Sequence, residues 1–378
     1  MSRPRGRQRG QRSRSAKGRS RVGERFEAEV GPVAHGGHCV VRLPEPESRV
    51  VFTRHALPGE RVVVEITEGT EGDRFWRGDA VEVLDPSPDR VTAPCPVARP
   101  GGCGGCDFQH VTLTRQRLLK ADVVREQMGR LAGLDVDVTV EAVPGDLAGL
   151  RWRTRHRYVH LPDGGLAMRQ HRSHRTVRVD DCLIARHDAR EPQPGVLVET
   201  VGEQQFEVAA DGFWQVHPGA PDALVGAVLT MLAPKPGEKV LDLYAGVGLF
   251  ARFLADAVGD PSLVTMVEGD ATASRHALRN VRGARVTAGD VAEVLAASYD
   301  EPFDLVVLDP PREGARRAVV DLVADRAPRA VAYVACDPAA LARDVALFAA
   351  HGYRLEALRA FDLFPMTHHV ECVALLVR

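Results

Sequence analysis

The C-terminal part of the chain repeats one pattern that restricts its fold more than any other feature. Apolar runs end in a glycine or an acid, or in a cysteine followed by an acid, and each run precedes a helical pattern. They read VLDLYAG, LVTMVEGD, FDLVVLDPP and AVAYVACDP. Apolar strands that alternate with helices are typical of a parallel sheet that binds its ligand at the carboxyl ends of the strands. The sequence predicts an α/β, Rossmann-like domain over residues 206–378.

The residues at these strand ends indicate an adenosyl ligand. Gly246 and Gly248 form a turn after the first run, and Glu268 ends the next run 22 residues after Gly246, where an acid bonds ribose hydroxyls. Asp290, at a further strand end, either meets an adenine amino group or caps a helix. The turn has no phosphate-loop lysine and no third glycine, which favours S-adenosylmethionine over NAD.

Cys336 ends the fourth run and is followed directly by a helix start. The thiolate of a cysteine in this position is favoured by the helix dipole, although most cysteines are simply buried in the core. We interpret Cys39 and Cys372 as core residues.

The N-terminal region is short-stranded and valine-rich. Five strand-like segments between Val22 and Asp89 are separated by turn residues. They predict a small barrel of the OB type over residues 23–90, which either binds RNA or is only structural. The first 21 residues carry nine Arg or Lys and no acid, whereas the rest of the chain has a net charge of −11. We expect a disordered basic arm over residues 1–22 that binds nucleic acid or serves as a solubilising tail.

Cysteines and arginines crowd the middle of the chain, residues 91–205. Cys95, Cys103 and Cys106 lie close together in a glycine-rich segment, and Cys182 stands further on. This spacing fits either tetrahedral zinc or an iron–sulfur cluster. Between these cysteines, arginines alternate with other residues at period two, which would place them on one strand face for phosphate binding. The predicted RNA-binding residues are Arg151, Arg153, Arg155, Arg157, Arg169 and Arg172.

Composition argues against a membrane protein. Hydrophobic residues make up 44% of the chain and charged residues 26%. No apolar run approaches the ~20 residues that a membrane helix needs, and the N-terminus lacks the apolar core of a signal peptide. We therefore expect a cytoplasmic protein and, since no feature indicates a dimer, a monomer.

Taken together, the motifs resemble the class I RNA (uracil-5-)-methyltransferase family, especially its iron–sulfur members that act on 23S ribosomal RNA. The resemblance covers nearly everything after the basic arm. It rests on CGGCDFQH, FWQVHP, LDLYAGVGLF, LDPPR, CDPAALARD and HHVECVALL. Three details depart from the family pattern: the first cysteine gap is longer, His217 replaces an asparagine, and Asp337 replaces the asparagine of CNP.

The resemblance implies a TRAM-type first barrel and a role for individual residues. Cys336 would be the nucleophile that adds to carbon 6 of uracil, and Glu371 the base that removes the proton from carbon 5. Gln215, Tyr244, Glu268 and Asp309 would line the cofactor and uracil pocket. The implied cluster is 4Fe–4S, and its implied ligands are Cys95, Cys103, Cys106 and Cys182.

Other functions remain open at this point. A cytosine-5 methyltransferase would need a second cysteine beside Asp309, and an adenine-N6 enzyme would favour an aromatic residue where Arg312 stands. A tRNA uridine methyltransferase usually lacks both the barrel and the cysteines. A non-catalytic RNA-binding or assembly protein would have no use for Cys336 and Glu371.

Overall fold

The computed structural model describes residues 18–378, so the basic arm predicted over residues 1–22 lies largely outside the described residues. The chain divides into two compact units. The first runs to Pro32 and continues over His38–Pro88, and the second contains Val33–Gly37 and Asp89–Arg378.

The first unit is the predicted barrel. Five strands close in the order β1-β2-β3-β5-β4. Alternate residues such as Val41, Val51 and Val64 are fully buried, because successive side chains of a strand point to opposite faces. The strands are β1 (Arg25–Ala34), β2 (His38–Arg42), β3 (Val50–Arg54), β4 (Arg61–Glu68) and β5 (Trp76–Asp85). Cys39 is buried in this barrel, as predicted.

The second unit begins with the region of the cysteines and arginines. Its helix matches the helical pattern of the sequence, whereas its strands are short and, apart from the first, form three small sheets. The elements are α1 (Leu113–Gln127), a π-helical turn (Met128–Ala132), β6 (Val140–Ala142), β7 (Arg153–Arg155), β8 (Val159–His160), β9 (Leu166–Arg169), β10 (Thr176–Val179), β11 (Ala185–Arg190), β12 (Val196–Val201) and β13 (Gln204–Ala209).

The remaining residues confirm the predicted α/β domain. Strands and helices alternate in the order α2 (Ala220–Leu232), β14 (Val240–Leu243), α3 (Leu249–Val258), a 3₁₀ turn (Pro261–Leu263), β15 (Val264–Glu268), α4 (Ala271–Asn280), β16 (Arg285–Ala288), α5 (Val291–Ala297), β17 (Leu305–Leu308), α6 (Arg316–Asp325), β18 (Ala330–Ala335), α7 (Pro338–Ala350), β19 (Arg354–Asp362) and β20 (Glu371–Val377).

One eight-stranded sheet organises this domain, in the order β16-β15-β14-β17-β18-β20-β19-β6. The strands β14 to β18 are parallel, while β20 is antiparallel to both of its neighbours. Strand β6 pairs with β19, so the sheet crosses the domain boundary that the sequence predicts at residues 205 and 206.

Apolar side chains cover both faces of the sheet. On β18, Ala332 and Val334 join one buried cluster, and Val331 and Tyr333 join the other. This explains why the strands are continuous apolar runs and not alternating ones. None of the described helices is long and apolar enough to cross a membrane.

Candidate active site

A strained glycine loop joins β14 to α3. Its backbone is left-handed at Tyr244, Gly246 and Gly248, with φ values of 61°, 55° and 89°. The backbone N–H of Gly246 donates to Glu268 Oε2 at 2.8 Å, and that of Asp270 donates to Oε1 at 2.7 Å. Glu268 therefore holds the loop in place, and its contact with a ribose stays a prediction.

Two further carboxylates lie at this edge of the sheet. Asp242 is fully buried inside β14 and accepts a hydrogen bond from the Ala251 N–H at 3.0 Å. Burial raises the pKa of Asp242 to about 8, so the carboxyl is largely neutral at pH 7. Sequence reasoning missed it, although an acid inside an apolar strand was a visible signal. Asp290 caps α5, accepting from the Glu293 N–H at 3.1 Å, which is the second of its two predicted roles.

The predicted nucleophile and base are brought together by strand register. Ala335 of β18 pairs with Cys372 of β20, and these strands are antiparallel. The residue after Ala335 is Cys336, and the residue before Cys372 is Glu371. Cys336 and Glu371 therefore lie side by side at the end of this ladder. Asp309 follows β17, which pairs with β18 on its other side. Cys372 itself is completely buried, as predicted.

Electrostatics at this point favour protonated groups. Burial, together with the charge of Asp309, raises the pKa of Glu371 well above its usual value, and Arg312 opposes the shift. Burial also raises the pKa of Asp309 to about 7. For Cys336, burial and then the charges of Glu371 and Asp309 raise the pKa to about 12.

This result reverses the direction expected for Cys336 from the dipole of α7. Desolvation and nearby acids outweigh the helix terminus, because the dipole supplies only about half an elementary charge. A reactive thiolate therefore requires a substrate or a cation that changes this environment.

Cys336 opens into a cavity of about 160 Å³. Part of its wall is apolar, and its Lys120 ammonium is neutralised by Asp362 at 2.5 Å. Such a cavity, with few uncompensated charges, suits a flat base. The lining residues are His35, Gly36, Gly37, Phe108, Leu119, Lys120, Val123, Arg312, Cys336, Asp337, Pro338, His368, His369 and Val370.

The segment that leads to Glu371 is fixed by the cysteine-rich loop. Asp107 Oδ2 accepts from the His368 backbone N–H at 3.0 Å and lies 2.6 Å from His368 Nδ1. The backbone N–H groups of Asp107 and Phe108 both donate to the Met366 carbonyl, at 2.9 and 3.0 Å. Four contacts thus connect the residues after Cys106 to the entry of β20.

The four predicted cysteine ligands line one cavity, although they come from distant segments. N–H groups point at their sulfur atoms: Gly105 donates to Cys103 Sγ and the Gln109 amide to Cys106 Sγ, both at 3.3 Å. Burial raises the pKa of the Cys106 and Cys182 thiols. Among residues 18–378, no group of three or more His, Cys, Asp or Glu is placed to hold a metal ion.

Three of the predicted arginines make contacts inside the protein. Strand β7 has three residues, and its neighbours are already engaged: Arg151 ion-pairs with Asp181 and donates to the Ala185 carbonyl at 2.9 Å. Arg153 lines the cysteine cavity and Arg155 donates to a backbone carbonyl. Arg151 and Arg155 are therefore engaged within the protein, and the role of these arginines in RNA binding stays a prediction.

The other three predicted arginines lie together. Arg157, Arg169 and Arg172 are exposed and line a groove of about 530 Å³ beside the cysteine loop, with Tyr158 among them. Gln215 lies elsewhere, in a cavity of about 400 Å³ that also contains Arg186.

Comparisons with known proteins identify the family of the chain. The profile of the tRNA (Uracil-5-)-methyltransferase family matches residues 204–378, and that of the TRAM domain matches residues 19–81. An uncharacterized RNA methyltransferase of Streptomyces coelicolor is 45% identical over 94% of this chain and 93% of its own length. A 23S rRNA (uracil(1939)-C(5))-methyltransferase of Alkalilimnicola ehrlichii is 32% identical over 94% of this chain and 97% of its own length.

A solved structure shares the fold. The tRNA (uracil-54, C5)-methyltransferase of Pyrococcus abyssi, in complex with S-adenosyl-L-homocysteine, superposes with a TM-score of 0.70 at 21% identity. The match covers 93% of this chain and 100% of that one. The fold, the TRAM barrel and the relatives lead to one conclusion: the chain belongs to the RNA (uracil-5-)-methyltransferase family and is an RNA methyltransferase.

Proposed function

We propose that the enzyme methylates carbon 5 of a uridine in 23S ribosomal RNA, through a covalent bond between Cys336 and carbon 6. The observation that carries the proposal is the register of β18 and β20, which sets Cys336 beside Glu371. The choice of 23S ribosomal RNA is supported by relatives of that name.

The reaction must first activate carbon 5, which is a poor nucleophile. Cys336, once deprotonated, adds to carbon 6 and turns the ring into an enolate. Donors near the base stabilise the developing charge, and protonated Asp309 can be one of them because its pKa is about 7. Carbon 5 would then attack the sulfonium methyl group of bound S-adenosylmethionine, whose methyl–sulfur bond would break to leave S-adenosylhomocysteine.

Completion requires removal of one proton and loss of the thiolate. Glu371 takes the proton from carbon 5, the electron pair re-forms the ring double bond, and the bond between Cys336 and carbon 6 breaks. Glu371 must be ionised to accept this proton, and Arg312 is the cation that favours its ionised form. The target base must leave its stack to enter the cavity.

The methyl donor would lie along the carboxyl ends of the parallel strands. This edge carries the glycine loop and the acids that bind adenosyl ligands in such folds. The proposed cofactor-binding residues are Gln215, Tyr244, Gly246, Gly248, Glu268, Asp290 and Asp309.

The proposal is tested with RNA that contains 5-fluorouridine. Fluorine cannot leave carbon 5 as a proton, so the adduct with Cys336 should accumulate when S-adenosylmethionine is present. Ribosomal RNA and tRNA are compared, because the Pyrococcus enzyme of the same fold acts on tRNA. A stable adduct with 23S ribosomal RNA supports the proposal. An adduct with tRNA alone would assign tRNA as the substrate instead. If neither RNA forms an adduct, the covalent mechanism is rejected.

We also propose that the cysteine cavity holds a 4Fe–4S cluster, with zinc the less favoured occupant. The four thiols line one cavity, and the N–H groups directed at Cys103 and Cys106 suit the sulfur ligands of a cluster.

Replacing Cys103 with serine should remove the cluster. We expect iron and acid-labile sulfide to fall to background in anaerobically purified protein, with a lower midpoint of thermal unfolding. Cys39→Ala, which removes a thiol from the barrel, should leave the iron content unchanged. Unchanged iron in the Cys103 variant would reject the cluster, and zinc without sulfide in the parent protein would assign zinc instead.

The exposed arginine groove is the proposed contact for RNA phosphates. Each phosphate contact on single-stranded RNA contributes about 0.7 to the slope of log affinity against log salt. We expect Arg157→Ala with Arg169→Ala to reduce this slope by about 1.4 and to weaken binding. Arg354→Ala, a matched change at an exposed arginine of β19, should not alter it. An unchanged slope in the double variant would place the RNA elsewhere.

A further inference from the structure

A five-residue segment from the N-terminal part of the chain belongs to the catalytic unit. Val33–Gly37 separates from the barrel residues on either side and groups with Asp89–Arg378. Gly37 is left-handed, with φ of 77°, and a Cβ there would lie 2.5 Å from His368 Cβ. Only glycine allows so close an approach, so this segment forms a fixed wall of the Cys336 cavity.

His35 lies at the centre of this segment and meets the residue next to the nucleophile. Its Nε2 is 3.0 Å from Asp337 Oδ2. Asp337 also caps α7, because its Oδ1 accepts from the Ala340 N–H at 2.8 Å. Each carboxylate oxygen of Asp337 therefore has its own partner: Oδ1 has the backbone of α7, and Oδ2 has the imidazole of His35.

The surrounding charges give this ion pair its importance. Cys336 faces three acids, Glu371, Asp309 and Asp337, all of which raise the pKa of its thiol, and Arg312, which lowers it. Of the other cavity cations, Lys120 is paired with Asp362, and burial lowers the pKa of His369 to about 3. His368 is paired with Asp107.

The contact with Asp337 favours the charged form of His35. The hydrogen bond to Asp337 raises the pKa of His35 above its ordinary 6.5, against desolvation, with Glu126 assisting and Arg130 opposing. For Asp337, burial alone would raise the pKa, but the contacts with His35 and the α7 N–H groups lower it overall.

We propose that His35 is a positioning residue for methyl transfer: its imidazolium binds and neutralises Asp337, so that this carboxylate does not oppose the thiolate of Cys336. The role rests on the proposed covalent mechanism. As pH rises through the pKa of His35, the imidazolium is lost, and the negative charge of Asp337 acts on Cys336 without compensation. The N-terminal segment thus acts on Cys336 through Asp337, which lies 302 positions after His35 in the sequence.

The experiment is alkylation of Cys336 by iodoacetamide in the full-length protein, without RNA or cofactor, between pH 6 and pH 9. Trypsin releases Ala330–Arg343, in which Cys336 is the one cysteine, so mass spectrometry follows that thiol alone. His35→Asn should slow alkylation about tenfold near pH 6.5, the size expected for one nearby charge. The difference should vanish at high pH, where the wild-type imidazolium is lost.

Two variants separate charge from structure. His35→Lys keeps a cation at every pH, so its alkylation should match the wild type at low pH and exceed it at high pH. Asp337→Asn removes the charge but keeps a good helix cap, so adding His35→Asn to it should change nothing. His351→Asn, which breaks a comparable pair with Asp321 at 2.7 Å, is the matched control and should have no effect.

Two results would overturn the inference. One is an alkylation rate of Cys336 in His35→Asn that equals the wild-type rate at low pH. The other is a slowing by His35→Asn that is as large in the Asp337→Asn variant as in the wild type. Methyl transfer by the same variants is measured in parallel. For His35→Asn we expect kcat to fall and KM for S-adenosylmethionine to stay unchanged. If no RNA is methylated by the parent enzyme, the proposed function fails, while alkylation still reports whether His35 acts on Cys336.

Discussion

Cys336→Ala is expected to abolish methyl transfer, lowering kcat by at least about 10⁴-fold, the scale seen when a nucleophile is removed. Without the thiolate, nothing adds to carbon 6, and carbon 5 does not become nucleophilic. Binding of S-adenosylmethionine, measured by calorimetry, should persist because the glycine loop and Glu268 are untouched.

Cys39→Ala is the matched control, since it removes a buried thiol from the barrel and should retain activity. Methyl transfer by the Cys336 variant above one ten-thousandth of the wild-type rate would contradict the covalent mechanism. Loss of cofactor binding together with activity would point to a folding defect instead.

When Glu371→Gln acts on RNA that has not yet been methylated, the covalent adduct between Cys336 and the base is expected to accumulate. The thiolate can still add and the methyl group can still transfer, but the carbon 5 proton has no acceptor. Turnover should fall by about 10²–10⁴-fold, the usual contribution of a general base. Glutamine resembles the protonated acid that burial favours at this position, so the fold should survive.

The measurement is a gel shift that resists denaturant and requires both RNA and S-adenosylmethionine. Glu356→Gln, at an exposed position of β19, should behave as the wild type. A Glu371 variant that turns over at the wild-type rate and forms no adduct would show that another group accepts the proton.

Local patterns were enough to predict the elements of this fold. The apolar runs that end at Glu268 and Cys336 became parallel strands buried on both faces, and the valine-rich segments became a closed barrel. Those signals are local, since side-chain alternation and turn residues act over a few positions.

The site required information that a local pattern does not contain. Placing Glu371 beside Cys336 depends on β20 running antiparallel to β18, which is a property of the whole sheet. His35 reaches Asp337 across 302 positions of sequence. Arg151 and Arg155 also donate to acceptors of other segments, and no periodicity reports such contacts.

The contacts between Asp107 and His368 join two segments that are made far apart in time in a newly synthesised chain. These residues are 261 positions apart, and the later one stands three positions before Glu371. The strand that contains Glu371 is synthesised after the cysteine loop, and its entry is held by contacts with that loop. We therefore expect the placement of Glu371 beside Cys336 to depend on a closed cysteine loop, so that loss of this loop would impair the proposed catalytic pair from a distance.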